Sequence, residues 1–153
     1  MSKLTLNINA ESMVNLTAKV DAHFKILFDY SIEEDYRISS IDDISHPYKK
    51  YRKLNKKEKS KLYRSLCLFI EEATAMTYTE VDEKYGRTRD QSDMVRDIMY
   101  PNEEFPMIHY KIANSGIGSV ARLHGYLRNS VFVVRRMDWG HRFHNRKNKE
   151  SIN

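Results

Sequence analysis

The chain has a single cysteine among its 153 residues. Cys67 has no internal disulfide partner, and its place beside an apolar helical stripe reads as a small buried hydrophobe rather than a nucleophile. No apolar run approaches the roughly 18 residues that a membrane span needs. The opening MSKLTLNINAES lacks the apolar core of a signal peptide. These absences argue against a disulfide scaffold or a membrane-spanning chain, and the expected setting is reducing and cytoplasmic. There is no Walker loop, no paired-carboxylate metal motif and no locally supported Ser/His/Asp arrangement. No repeat or low-complexity tract interrupts the sequence.

What is present is charge in blocks. Hydrophobic residues make up 41% and charged residues 31%, which suits a folded domain rather than a disordered chain. The net charge of +5 divides unevenly: residues 1–48 carry −4, residues 49–70 carry +8, residues 71–107 carry −6 and residues 108–153 carry +7. Such blocks either pair with one another or gather two basic regions on one face, the second being a nucleic-acid footprint.

The strongest period lies between Asn55 and Gly86. Leu62, Leu66, Phe69, Ile70, Ala73 and Met76 recur at helical spacing. Asn55 with Glu58 makes a capping-box start, and Gly86 is the natural stop. The charges run against the helix dipole, with Lys56, Lys57, Lys59, Lys61 and Arg64 near the start and Glu71, Glu72, Glu80, Asp82 and Glu83 near the end. They are either a solvated face or a seat for an anionic partner.

Elsewhere the pattern is mixed. Residues 3–9 alternate as a short half-buried strand, and Ser12 caps a helix to about Tyr30 striped by Met13, Leu16, Val20, Phe24, Leu27 and Phe28. Residues 31–48 form a connector that His46-Pro47 closes. Asp90 or Ser92 caps a helix bearing Met94, Val95, Ile98 and Met99, which Pro101 ends; residues 101–106 are a loop, and MIHYKIA is a strand or short helix. The expectation is a mainly α fold: a small helical domain with a short N-terminal strand and room for a short C-terminal one. Residues 1–147 would make one compact domain, with 148–153 a flexible basic tail.

Several segments resemble known families. KLTLNIN running into a helix resembles ribbon-helix-helix DNA-binding proteins, which implies groove-facing roles for Lys3, Thr5 and Asn7. TEVDEKYG and the segment after it resemble a helix-turn-helix, but Asp90, Asp93 and Asp97 oppose phosphate approach. Residues 114–136 resemble a helix-turn-helix at Ala121, Gly125, Val131 and Val134, which implies that Asn129, Ser130, Arg135 and Arg136 face DNA. The same Val131–Val134 run reads as a buried strand. Gly116-Ile117-Gly118 resembles the hairpin of helix-hairpin-helix proteins, which grip a nucleic-acid backbone. Arg136 and His141, four residues apart, resemble the signature of HEPN helical ribonucleases, which implies an arginine for phosphate charge and a histidine for protons.

The first reading is a non-catalytic nucleic-acid-binding protein, a regulator in character, from a phage, plasmid or cellular genome of low GC content. Its contacts would be Lys49, Lys50, Arg52, Lys53, Lys56, Lys57, Lys59, Lys61, Arg64, Gly116, Gly118, Arg122, Arg128, Arg135, Arg136, Arg142 and Arg146. Tyr48, Tyr51 and Tyr63 interleave with the first basic run as stacking surfaces or as helix anchors. The second reading is a protein-interaction module or inhibitor that docks through its charge blocks, and the third a metal-independent ribonuclease using Arg136 and His141. No cofactor or metal is expected; His141-x-x-His144 is half a metal motif without a second half. A homodimer is one option, and no membrane partner is called for.

Overall fold

The computed structural model describes residues 22–28, 32–46, 51–112 and 121–143. Among the described residues its centre is a five-stranded mixed sheet rather than a helical bundle, so the mainly α expectation is corrected. The strands are β1 (Ile26–Leu27), β2 (Thr88–Asp97), β3 (Tyr100–Lys111), β4 (Arg122–Arg128) and β5 (Val131–Asp138). Their order across the sheet is β1-β5-β4-β3-β2. The last four form an antiparallel meander, and β1 adds to β5 in parallel, Ile26 opposite Phe132 and Leu27 opposite Val133.

Among the described residues two α-helices precede the meander, α1 (Lys56–Thr74) and α2 (Tyr78–Tyr85). The Asn55–Gly86 stretch is therefore not one helix. Asn55 and Glu58 close the expected capping box at 2.9 Å in both directions. A second box follows at Thr77 and Glu80, and Ala75 ends the first helix between them. Gly86 stops α2 with φ of +60°, a conformation glycine adopts without a Cβ penalty.

One face of the sheet packs on the helices. Ile108, Tyr110, Leu123, Phe132 and Val134 meet Leu62, Leu66, Phe69, Ala73 and Val81 in one core. Phe24 is the hub, with its ring against those of Phe69, Tyr78, Tyr110 and Phe132 at 4.9–6.0 Å. Residues 22–28, read as the end of a helix, instead supply β1 and this aromatic hub. Strand pairing at Ile26–Leu27 and a bridge from His23 to Thr77 replace helical bonding there. The connector holds two 3-10 turns, Glu34–Tyr36 and Ile38–Asp43.

The segment read as a helix around Met94–Met99 is the end of β2 and its turn. Val95 and Asp97 point inward, while Met94, Arg96, Ile98 and Met99 are exposed. Pro101 and Pro106 lie inside β3, in a pairing that register shifts in β2 make irregular. Asn129 and Ser130, both with positive φ, make the two-residue turn between β4 and β5. Over the described residues 121–136 a hairpin stands in place of the expected helix-turn-helix, and Val131–Val134 form a strand, as the alternative has it. Cys67, expected to be buried, is exposed on α1. Lys3, Thr5, Asn7 and the tail lie outside the described residues. Among the described residues no helix is long and apolar enough to cross a membrane.

Candidate functional site

Two features of the molecule bear on function: the outer flank of α1 and a buried polar cluster on the far face of the sheet.

On α1 the buried residues Leu62, Leu66, Phe69 and Ala73 fix which side looks outward. Lys56, Lys57, Lys61 and Arg64 occupy the opposite side, all exposed, within about 140° of arc at 3.6 residues per turn. None of the four makes a salt bridge among the described residues. Their basic neighbours do: Arg52 pairs with Glu58, Lys53 with Asp43 at 4.0 Å, and Lys59 with Asp42 at 3.0 Å. At the helix tip the capping box takes up the N–H groups of Asn55 and Glu58. Tyr51 is 91% exposed beside this run. Tyr63 instead packs edge-on against Trp139 at 5.8 Å, a structural use of the ring.

The C-terminal basic residues behave differently. Arg135 and Arg136 both reach Glu33, at 3.5 and 2.7 Å. Arg136 also lies over the rings of Phe143 and Tyr36, at 4.0 and 5.7 Å. Arg128 pairs with buried Asp97, which also accepts the Tyr126 hydroxyl, and lies over Tyr100. Arg142 donates to the Asp35 carbonyl and stacks on Tyr36, while Arg122 donates to the Ala121 carbonyl. Arg128, Arg135, Arg136 and Arg142 are thus engaged within the fold, and among the described residues they do not join the first basic block as one open face. Lys49, Lys50, Gly116, Gly118 and Arg146 lie outside the described residues.

Arg136 and His141 belong to β5 and the turn beyond it, not to the helix that the HEPN resemblance calls for. His144 lies outside the described residues.

The buried cluster has no forerunner in the sequence reading. His109 on β3 and His124 on β4 are direct cross-strand partners. Both rings meet Asp90 of β2: His109 Nδ1 lies 2.6 Å from Oδ1, and His124 Nδ1 lies 2.8 Å from Oδ2. His124 Nε2 lies 3.9 Å from Asp138 Oδ2 on β5. Asp138 is itself anchored by the backbone N–H groups of Arg142 and Phe143, at 2.7 and 2.9 Å. The Phe143 ring closes over His124 at 5.1 Å. Burial pushes the Asp90 carboxyl up, but hydrogen bonds from the two imidazoles outweigh it and hold it well below the usual carboxylate range. Burial pushes His124 down, against the pull of Asp90. Asp90, His109 and His124 bring their ligand atoms within 4.8 Å of one another, a set able to hold a metal ion. The only sequence signal was a histidine inside each of two apolar segments, IHY and LHGYL, whose partner Asp90 stands at no motif spacing.

Compared with known protein families, curated proteins and solved structures, the chain has no match.

Proposed function

We propose that this protein binds nucleic acid through the phosphate backbone, without cutting it, using the outer flank of α1. The observation that carries the reading is the set of Lys56, Lys57, Lys61 and Arg64, exposed together and without salt bridges among the described residues, while adjacent cations are neutralised within the fold. A buried or paired cation contributes little to an external partner; four unneutralised ones on a rigid helix contribute to counterion release. Lys57 to Arg64 spans about 10 Å along the helix axis, roughly the rise of three nucleotides of one strand. Tyr51 adds an exposed ring for a base to stack on. The acidic residues Glu71, Glu72, Glu80 and Glu83 line a groove at the other end of the helix pair and would turn the polymer away from it.

The test is binding of labelled duplex DNA, single-stranded DNA and RNA across a salt series. Affinity is expected to fall steeply with salt. Changing Lys56, Lys57, Lys61 and Arg64 together to Gln should reduce the slope of log K against log salt by about three to four units. Arg135→Gln should weaken folding more than binding. No binding at about 100 mM salt by a well-folded sample would overturn the proposal. A protein partner pulled onto the same flank, with a shallow salt dependence, would replace it.

A further inference from the structure

We propose that Asp90, His109 and His124 form a binding site for one divalent transition-metal ion of the zinc class, which ties β2, β3 and β4 together. The site is separate from the α1 flank and does not depend on the nucleic-acid reading.

The donor set selects the ion. Two imidazoles and one carboxylate suit zinc, cobalt, nickel or iron, whereas magnesium and calcium want oxygen ligands. The donors sit on three strands of one sheet: register sets His109 opposite His124, and Asp90 stands in the irregular stretch of β2 between Arg89 and Met94, where its carboxylate bridges both rings. They converge within 4.8 Å. Around a tetrahedral ion with bonds of about 2.0–2.1 Å, neighbouring ligand atoms stand roughly 3.3 Å apart. The contacts of 2.6 and 2.8 Å, each to a different Asp90 oxygen, would open by about 0.5–0.7 Å and the widest donor separation would close by up to about 1.5 Å, side-chain movements rather than a change of fold.

Asp138 completes the pattern. When Nδ1 of His124 takes the ion, the ring proton resides on Nε2, and that atom faces Asp138 Oδ2 at 3.9 Å. A carboxylate hydrogen-bonded behind a ligating histidine fixes its tautomer and strengthens it as a ligand; 3.9 Å is beyond that reach, so the ring gains this support by moving about 1 Å toward Asp138. Asp138 is already held for this by two backbone N–H groups. Two carboxylates with almost no exposure stand at this cluster, and a divalent cation is the charge that would balance them. His109 keeps 8% of its side chain exposed, the most open approach among the three. A closed hydrogen-bonded triad, bridged by Asp90 with no ion, is the rival that the experiment must separate.

The experiment uses the whole protein, stripped with a chelator and checked for fold by circular dichroism. It is titrated with zinc, cobalt and magnesium ions. The expected result is one zinc ion per chain, a rise in melting temperature, the visible bands of tetrahedral cobalt, and no response to magnesium. Asp90→Asn should weaken zinc binding by about 100-fold, while His141→Ala should leave it unchanged. If Asp90→Asn does not fold, nitrogen NMR of the imidazole rings in the wild-type protein decides, because coordination shifts Nδ1 of His109 and His124. A folded, stripped wild-type protein that takes up no zinc would overturn the proposal. So would zinc binding that leaves both rings unperturbed.

Discussion

Gly125 shows how much one residue constrains this sheet. A Cβ there would lie 2.1 Å from the Val133 carbonyl oxygen and 2.9 Å from the Phe132 ring, too close for β4 and β5 to keep their spacing. Gly125→Ala should cost about 1–3 kcal/mol through overpacking, read as a lower midpoint in urea unfolding. An unchanged midpoint would mean that the strands part without penalty. In the sequence, this glycine looked like the turn of a helix-turn-helix, because a glycine kept for close approach and one kept for a turn are the same letter. His109 and His124 were unreadable for a related reason. A histidine in an apolar segment declares burial, but its partner is set by strand register, which the sequence does not print.

At the scale of elements, both helices depend on their starts. Asn55→Ala and Thr77→Ala should each cost about 0.5–2 kcal/mol, measured by thermal unfolding. Thr77→Ala leaving the melting temperature unchanged would mean that packing of Tyr78 and Val81, not the cap, positions α2. The first cap was legible because Asn55 and Glu58 precede a clean apolar stripe. The break at Ala75 was not, because the stripe continues through Ala73 and Met76 toward Tyr78 and Val81. Strand β2 was misread for a physical reason. Its inward positions include Asp90 and Asp97, which bury charge against partners on other strands, while Met94, Ile98 and Met99 remain outside. A strand with acids inside and methionines outside inverts the pattern by which strands are recognised. The prolines of β3 misled in the same way, since the usual meaning of two prolines five residues apart is a loop.

Across the whole molecule, buried tyrosines link one element to another. Tyr110 donates to Asp82 at 2.8 Å, Tyr85 to Glu72, Tyr126 to Asp97, and Tyr78 to the Ser130 carbonyl. Burial is the main force raising the pKa of all four, and the acidic partners of Tyr85, Tyr110 and Tyr126 raise it further. A folded pKa above the unfolded value gives stability that is fully present below the unfolded pKa, about 10 for tyrosine, and is lost as pH rises beyond it. Stability should therefore hold up to about pH 10 and then fall, because the unfolded chain releases phenolic protons that the folded one retains. Tyrosinate absorbance from these four should appear together with the loss of circular dichroism. Ionisation of all four in a still-folded protein would refute this account. The aromatic hub was partly legible, since Phe24 and Phe69 each stood on a predicted stripe; the sheet was not, because its described strands come from three separate stretches of the chain.

The parallel pairing of β1 with β5 also sets an order of events during synthesis. Ile26 leaves the ribosome more than a hundred residues before Phe132, the partner it must find. At about 5–20 residues per second the wait is roughly 5–20 s. Throughout it, Phe24 lacks Phe132, and the sheet lacks its final strand. The nascent chain therefore passes through a stage in which the helices are made while β4 and β5, which complete their core, are still missing. Native closure comes only after the hairpin of β4 and β5 emerges, which makes that stage the one at which a chaperone, or a neighbouring nascent chain, would meet this protein.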